Sequence, residues 1–222
     1  LGSPGAWQRV GSLRPFHVPG GEKAGREPWR SALSLCWEAG IEWKRCPEDP
    51  MLAHHAWQRR LNCPQTTAAG RLFDAAAALT GLNQRSSYEG QGPMMLEAAC
   101  ADEKAVAIPL PMALNRQGIR ETDWAPLLPF LMNEKHSLAE RAGGFHVSLA
   151  QAIVAQANAA REEHGELTVG LSGGVFQNRV LTEHTLTLLR ANGFDVRLTH
   201  EIPCNDAGIS FGQIIETGVK LT

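Results

Sequence analysis

The spacing of apolar residues changes along the chain and divides it into a helical part and an α/β part. Before residue 166, apolar side chains mostly recur every three or four positions, which is the period of an amphipathic helix. This pattern predicts helices at 29–41, 49–61, 66–82, 94–103, 122–135 and 137–165, with one strand at 104–112. The first 28 residues are rich in glycine and proline, which is typical of loop or irregular strand.

Individual residues mark the ends of these helices. Gly40 is a stop signal for the first helix, and Thr66 or Thr67 can cap the third. Gly143 and Gly144 are adjacent inside the longest predicted helix, so we expect a break or a kink at that point.

After residue 166 the pattern becomes strand, helix, strand, helix, at 167–171, 176–193, 194–200 and 208–218. An alternation of this kind is typical of a parallel sheet covered by helices. We therefore predict an α/β protein in which a mainly helical region is followed by a small β-α-β-α lobe.

The first strand and helix of this lobe meet at two adjacent glycines, Gly173 and Gly174. Glycines remove Cβ atoms and allow unusual φ angles, so a ligand can approach the backbone closely. A helix N-terminus directly after such a turn offers free N–H groups and a favourable dipole to a phosphate. The motif is neither a Walker loop nor Gly-x-Gly-x-x-Gly, and a plain tight turn explains it at least as well.

Two aspartates are further candidates for a ligand site. Asp206 follows the second strand of the lobe, where it either caps the last helix or faces a metal ion or phosphate in a cleft. Asp74 lies in a predicted helix of small and apolar residues, although aspartate is a poor residue for a helix interior. It is therefore either a surface carboxylate or an acceptor for a hydroxyl pair such as a ribose.

Composition narrows the class of protein. The 222 residues are 43% hydrophobic and 20% charged, with a net charge of −2, so no basic field is available to hold a nucleic-acid partner. No apolar run is long enough to span a membrane and no signal segment is evident, so we expect a cytoplasmic protein without a membrane partner. The five cysteines are scattered, which is typical of reduced, packed thiols.

Several segments occur in an order that resembles the HypF family, the carbamoyltransferases of NiFe-hydrogenase maturation. The most specific are GRLFDA at 70–75 and SGGVFQN at 172–178, and the others lie at 19–33, 62–82, 88–98, 144–153 and 205–213. The resemblance covers nearly the whole chain and corresponds to the latter part of the Kae1-like region of that family. It implies an actin/Hsp70-like ATPase fold that binds a nucleotide between two lobes.

The resemblance also implies roles for single residues. Those that match nucleotide-contacting positions of the family are Asp74, Gly90, Glu97, Gly173, Gly174 and Asn178. Within this set, Asp74 matches the carboxylate that holds the ribose hydroxyls and Gly90 matches a glycine loop beside the nucleotide. Glu97, in the following helix, is an additional candidate, and the last three residues match the turn that contacts the adenylate or phosphates. No side chain presents itself as a covalent nucleophile.

For the metal site, the resemblance implies a divalent ion (zinc, iron or magnesium) held by Asp206. The histidine partners, a His-x-x-x-His motif of the family, are absent from this sequence. His54 and His55 are adjacent and would point about 100° apart on a helix, so we interpret them as ordinary helix residues. The family commonly has Asp-Gly-Gly where this chain has Ala207 after the aspartate, and an alanine there is strained if the position needs a positive φ.

The implied activity is transfer of a carbamoyl group from carbamoyl-adenylate to the C-terminal cysteine of a HypE-like acceptor protein, for synthesis of the CN ligand. ATP and carbamoyl phosphate are the implied substrates of the full protein. The acylphosphatase-like, zinc-binding and YrdC-like domains of the family are not recognisable. We therefore expect residues 1–222 to be the C-terminal part of a Kae1-like domain.

Within it, residues 1–65 are predicted to be lead-in loop and helices, and 66–165 a mainly helical region with the ribose-facing segment. Residues 166–222 are predicted to form the nucleotide and metal lobe. Two alternatives remain open: a catalytically inactive nucleotide-binding module, and a Kae1-type relative that modifies tRNA.

Overall fold

In the computed structural model, the described residues 1–3, 5–100 and 105–220 contain eight α-helices and nine short strands. The helices are α1 (Pro28–Ala39), α2 (Met51–Gln58), α3 (Ala69–Leu79), α4 (Gln91–Ala98), α5 (Leu127–Met132), α6 (Leu138–His164), α7 (Arg179–Ala191) and α8 (Ile209–Lys220). The strands are β1 (Gly2–Ser3), β2 (Ala6–Trp7), β3 (Gly11–Leu13), β4 (Phe16–His17), β5 (Gln65–Thr66), β6 (Met112–Leu114), β7 (Arg120–Thr122), β8 (Thr168–Leu171) and β9 (Asp195–Leu198).

The predicted helices are present, but the longest of them differs from the prediction. α1 ends at Gly40, whose φ is 66°, so the predicted stop is confirmed. α6 continues through Gly143 and Gly144, so the predicted break is wrong. A Cβ on Gly144 would lie 2.6 Å from the Phe130 ring, and one on Gly143 would lie 2.9 Å from Ala105. The two glycines therefore allow α6 to pack closely against its neighbours.

The start of α3 and the start of α4 also differ from the prediction. The N-cap residue of α3 is Ala68, which makes no capping hydrogen bond through its side chain, so a cap at Thr66 or Thr67 is wrong. α4 begins at Gln91, three residues before the predicted start at Met94. Residues 101–103 of that predicted helix lie outside the described residues.

The strand predicted at 104–112 is wrong over its described part, because only Met112 lies in a strand. The backbone N–H of Ile108 donates to the Ser148 hydroxyl of α6 at 2.8 Å instead of to a neighbouring strand. Pro109 and Pro111 have no N–H to donate to a ladder. This segment is therefore an extended connection held against α6.

The strands form small sheets, and the β-α-β unit of the C-terminal lobe is confirmed. β8 and β9 pair in parallel, with Thr168 opposite Asp195 and Leu171 opposite Leu198, and α7 connects them. A second sheet has the order β3-β7-β6, with a parallel and an antiparallel pair. The hydrophobic pattern did not predict this sheet, because its strands have only three residues each.

Two hydrophobic cores meet at α6. The larger one lies among α1, α3, α5 and α6, and its largest fully buried side chains include Trp29, Phe73, Trp124 and Phe145. Burial of a side chain of this size contributes roughly 1.5–3 kcal/mol to folding. The smaller core holds the β8–β9 sheet against α6 and α7 and consists of Val154, Leu171, Leu189 and Phe194. α6 therefore fixes the C-terminal lobe to the helical part.

The C-terminal helix α8 lies at the surface and exposes several apolar side chains, namely Ile209, Phe211, Ile214 and Ile215. The β1–β2 hairpin lies beside it, because Trp7 Nε1 donates to the Glu216 carboxylate at 3.2 Å. In the part of the chain that the structure describes, neither α8 nor any other helix has an apolar stretch long enough to cross a membrane.

Candidate functional site

The glycine turn joins the end of β8 to α7. Gly173 has a φ of 103° and a ψ of 151°, a backbone conformation that favours glycine, and residues Gly174–Gln177 form a short 3₁₀ helix. The N–H of Gly173 donates to the carbonyl of Cys204 at 2.6 Å, which attaches the turn to the loop after β9. Among the described residues, none accepts a hydrogen bond from the N–H of Gly174 or Val175. These two donors are therefore available to an anion.

The N-terminus of α7 is not available in this way, which corrects the expectation from the sequence. The Glu97 carboxylate on α4 accepts from the backbone N–H of Arg179 at 2.7 Å and lies 3.4 Å from that of Val180. The Asn178 side chain accepts from the N–H of Leu181 at 2.8 Å. Side chains thus satisfy the first turn of α7, and the Glu97 charge offsets the positive end of its dipole.

Glu97 and Asn178 were both predicted to contact a nucleotide. In the structure each of them caps α7, so Glu97 Oε1 and Asn178 Oδ1 already have backbone partners. A nucleotide contact of either residue stays a prediction, and for Glu97 it would place a carboxylate close to the phosphates.

Asp74 is buried on α3, with only 4% of its surface exposed. Its Oδ2 atom lies 2.9 Å from Arg71 Nη1, but no described residue donates an aligned hydrogen bond to this oxygen. The pKa of Asp74 is raised to about 6: burial is the largest cause, Arg71 acts against it, and Glu89 makes a smaller raising contribution. A buried carboxylate with unused acceptor capacity suits a hydroxyl ligand.

Gly90 directly follows Glu89, the residue whose charge acts on Asp74. It precedes α4 with a φ of 80°, and a Cβ at this position would meet no atom within 4 Å. A Cβ on Gly92 would lie 3.1 Å from the Cβ of Ala77, so the first turn of α4 packs directly on α3. The open space beside Gly90 is compatible with a ligand, and its role stays a prediction.

Asp206 is exposed in the loop after β9. It does not cap α8: the Asn205 side chain caps the short 3₁₀ turn Asp206–Gly208 by accepting from the Ala207 N–H at 3.1 Å. Ala207 is not among the described non-glycine residues with positive φ, so it carries no such strain. Gly208 is the constrained position, because a Cβ there would lie 2.6 Å from the Pro203 carbonyl oxygen.

The described residues do not form a metal site by themselves, since they contain no group of three histidine, cysteine, aspartate or glutamate side chains close enough to hold an ion. Asp206 can supply one oxygen ligand, and its metal role stays a prediction. His54 stacks against Trp37 and Trp57, with ring centroids 4.8 and 5.9 Å away, and His55 is exposed. Neither histidine faces Asp206 in a common cluster.

Direct contacts link the predicted site residues into one region. α3, which carries Asp74, packs on α4 and also contacts the 3₁₀ turn Gly174–Gln177. α4 contacts the start of α7 through Glu97, and the glycine turn contacts the loop before Asp206 through Cys204. The structure therefore places all seven predicted residues along one continuous series of packed elements.

Two features of this region were not predicted as part of the site. A cavity of about 390 Å³ lies at the carboxyl ends of β8 and β9, and Phe176, Thr182, His200 and Cys204 are among its lining residues. His146, which lies in the family-like segment 144–153, is fully buried and contacts Asn178. Its place in that segment was the signal in the sequence.

The sequence of this chain is similar to those of known carbamoyltransferases. Residues 1–213 match a family described as carbamoyltransferase, Kae1-like domain, second subdomain. A carbamoyltransferase HypF homolog of Cupriavidus necator is 34% identical over 226 residues, which cover 95% of this chain and 57% of the relative. Carbamoyltransferase HypF of Rhodobacter capsulatus is 36% identical over 232 residues, which cover 100% of this chain and 29% of the relative.

A solved structure also matches. The crystal structure of full-length HypF in its phosphate- and nucleotide-bound form superimposes with a TM-score of 0.85 at 26% identity, covering 97% of this chain and 29% of that chain. The chain thus spans 57% of the length of one of these relatives and 29% of the length of the two others.

Proposed function

Because the chain belongs to the HypF family of carbamoyltransferases, we propose that it forms part of the nucleotide site of a carbamoyl-transferring enzyme. The Kae1-like α/β fold predicted from the sequence is confirmed by the structural match. The observation that carries the proposal is the glycine turn, which follows a parallel strand beside α3 and whose two backbone N–H groups have no acceptor among the described residues. Such donors suit the phosphate oxygens of ATP or of carbamoyl-adenylate.

In the proposed reaction, a cysteine thiolate of a HypE-like acceptor attacks the carbamoyl carbon of carbamoyl-adenylate. A carbon–sulfur bond forms, the carbon–oxygen bond to the phosphate breaks, and AMP leaves with the electron pair. The N–H groups of Gly174 and Val175 would stabilise the charge on the phosphate, and Asp74 would hold the ribose hydroxyls. The contribution of these residues is orientation and charge stabilisation, with no covalent step on this chain.

A metal ion at Asp206 would polarise the carbonyl or steady the phosphate. Since the described residues supply one such ligand, the remaining ligands would have to come from another region of a longer polypeptide. Carbamoyl phosphate and ATP are accordingly proposed as substrates of the whole enzyme, which we place in the cytoplasm. The family match favours this function over modification of tRNA.

Removal of one backbone donor tests the glycine turn. Gly174→Pro deletes the N–H, and proline fits the first position of a helix without strain. We expect the dissociation constant of ATP, measured by calorimetry, to rise about 10-fold or more, because one hydrogen bond to a charged group contributes roughly 1.5–3 kcal/mol.

Gly174→Ala is the matched control for this experiment. It keeps the N–H and adds one Cβ, whose nearest neighbour would be Gln177 Oε1 at 3.9 Å. Because the added methyl lies on the turn that a ligand would approach, we expect its ATP dissociation constant to rise, but at least about threefold less than in the proline variant, since the N–H donor is kept. Equal affinities of the proline and alanine variants would contradict phosphate binding by this N–H.

The metal prediction is tested on the longest natural polypeptide that contains these residues. Asp206→Ala should lower the bound divalent metal, measured by elemental analysis, from about one equivalent toward zero, because loss of one of few charged ligands weakens a site strongly. Asp195→Ala, on β9, removes another exposed carboxylate as the control. Unchanged metal content in the Asp206 variant would exclude it as a ligand.

A further inference from the structure

His146 on α6 has a single protonation state that satisfies its neighbours. Its Nδ1 atom lies 2.8 Å from the carbonyl oxygen of Ala142, which can only accept, so Nδ1 carries the proton. Its Nε2 atom lies 2.9 Å from Asn178 Nδ2, which can only donate, so Nε2 carries the lone pair. The ring is therefore neutral and oriented on both sides.

The neighbours of the ring agree with this neutral state. Burial lowers the pKa of His146, against smaller raising effects of the Ala142 hydrogen bond and of Glu97. Cys100 Sγ lies 3.4 Å from Nδ1, and burial raises the pKa of this thiol to about 11, so it does not form a thiolate–imidazolium pair. His184 is the other titratable group that acts on the ring, and it lowers the pKa of His146 further.

Asn178 is held from two sides as a result. Its Nδ2 donates to His146, and its Oδ1 accepts from the Leu181 N–H of α7 at 2.8 Å. Rotation of the amide by 180° would bring N–H against N–H and oxygen against the Nε2 lone pair. The backbone N–H of Asn178 also donates to the Val175 carbonyl at 3.1 Å, so this residue ends the glycine turn and begins α7.

We propose that His146 is a positioning residue for the nucleotide turn. Its Nδ1-protonated ring fixes the amide of Asn178, and Asn178 in turn fixes the backbone that presents the N–H groups of Gly174 and Val175. The inference rests on the proposed nucleotide function of this turn. Its structural part, the tautomer and the amide orientation, stands independently of any ligand.

Simple packing is the competing role for His146, since its ring makes edge-to-face contacts with Phe73 and Phe145 at 5.4 and 5.7 Å between centroids. Two variants separate the roles. His146→Gln can donate to Ala142 through its amide nitrogen and accept from Asn178 through its oxygen. His146→Leu has a similar size but can do neither, which leaves the amide of Asn178 with a buried, unpaired N–H.

The experiment measures the ATP dissociation constant of both variants together with the nitrogen NMR signals of His146 and of the Asn178 side-chain amide. We expect the unsubstituted protein to show a neutral ring protonated at Nδ1. ATP binding should weaken about 10-fold or more in His146→Leu and stay within about threefold in His146→Gln, with a shifted Asn178 amide signal only in the leucine variant.

The remaining outcomes of this experiment also decide whether His146 positions the nucleotide turn. A ring protonated at Nε2, or equal weakening of ATP binding in both variants, would overturn the proposal. Unchanged ATP binding in a folded leucine variant would leave packing as the role of His146. If the unsubstituted protein binds no ATP, the proposed function fails, whereas the ring tautomer and the Asn178 signal still test the positioning.

Asn178→Asp covers the case in which the leucine variant does not fold. It keeps an acceptor for the Leu181 N–H but removes the donor to His146. Both ring nitrogens then face acceptors, so we expect the ring signal to change to a form protonated at both Nδ1 and Nε2, whereas an unchanged neutral ring protonated only at Nδ1 would show that Asn178 does not act on it.

Discussion

Replacement of Asp74 by asparagine is expected to stabilise the protein at pH 8 and to weaken its binding of ATP at least 10-fold. The reason for the stability gain is the buried carboxylate, whose pKa is raised to about 6 from an ordinary value of 3.8. A raised pKa means that the folded state holds the proton more tightly than the unfolded chain does. The ionised carboxylate therefore lowers the free energy of unfolding, and asparagine removes this charge.

The sign follows from proton linkage. Between pH 3.8 and about 6, the unfolded carboxyl is ionised while the folded one is still protonated, so stability falls as the pH rises through this window. The shift of roughly two pKa units corresponds to an upper limit of about 3 kcal/mol. We expect a gain of about 1–2 kcal/mol for Asp74→Asn at pH 8, because the attraction to Arg71 is lost as well. The gain should vanish near pH 4.

Urea unfolding at pH 4 and pH 8, together with calorimetric titration of ATP, measures both effects. Asp123→Asn is the control, since Asp123 also pairs with an arginine, Arg14 at 3.2 Å, but accepts a hydrogen bond from the Ala125 N–H. It should lose a little stability and keep its affinity for ATP. A loss of stability in Asp74→Asn at pH 8 would identify Asp74 as a structural ion-pair partner, and unchanged ATP affinity would exclude the ribose role.

A residue whose charge lowers the stability of the fold is a candidate for a functional role, and this is the physical reason for selecting Asp74. An aspartate among alanines and leucines conflicts with the local preference of a helix, so the conflict itself is the signal. The apolar pattern could not show that Arg71 pairs with this carboxylate. Residues three positions apart on a helix meet only when their rotamers allow it.

The elements of the fold were predictable where the apolar period was long. α6, α7 and the parallel β8–β9 pair follow from the pattern alone, because each buries one continuous apolar face. The three-stranded sheet was not predictable, since three-residue strands contain too few positions to establish a period. The break expected at Gly143 and Gly144 was wrong because a glycine pair inside a helix also allows close packing, and the sequence does not show the contact of Gly144 with Phe130.

The candidate residues of the site could be selected from the sequence, whereas the partners of their side chains could not. Asn178 became a candidate for a nucleotide contact because it lies in the family-like segment 172–178. Its hydrogen bond to His146 joins residues 32 positions apart, and Glu97 meets Arg179 across 82 positions. Contacts at such separations depend on how α4, α6 and α7 pack, which no local pattern contains.

Glu97→Ala is expected to lower the free energy of unfolding by roughly 2 kcal/mol, because it removes a charged acceptor from the first turn of α7. Glu97→Gln should cost less, since it keeps an oxygen that can accept from the Arg179 N–H but loses the charge that offsets the helix dipole. Urea unfolding measures both. Glu183→Ala removes an exposed carboxylate 3.8 Å from Arg179 on the same helix, and as a control it should change stability by less than about 0.5 kcal/mol.

ATP affinity in the same variants separates a helix cap from a nucleotide ligand. A carboxylate at the start of α7 repels phosphates bound at the adjacent glycine turn. Its removal also frees the N–H groups of Arg179 and Val180 as additional donors. If Glu97 is a helix cap, ATP binding should therefore stay unchanged or become stronger in the variants. If both Glu97 variants instead lose ATP binding about 10-fold without losing stability, the residue is a ligand and its capping role is secondary. A cap predicts lost stability with ATP binding kept, and a ligand predicts lost ATP binding with stability kept, so one pair of variants decides between the two roles.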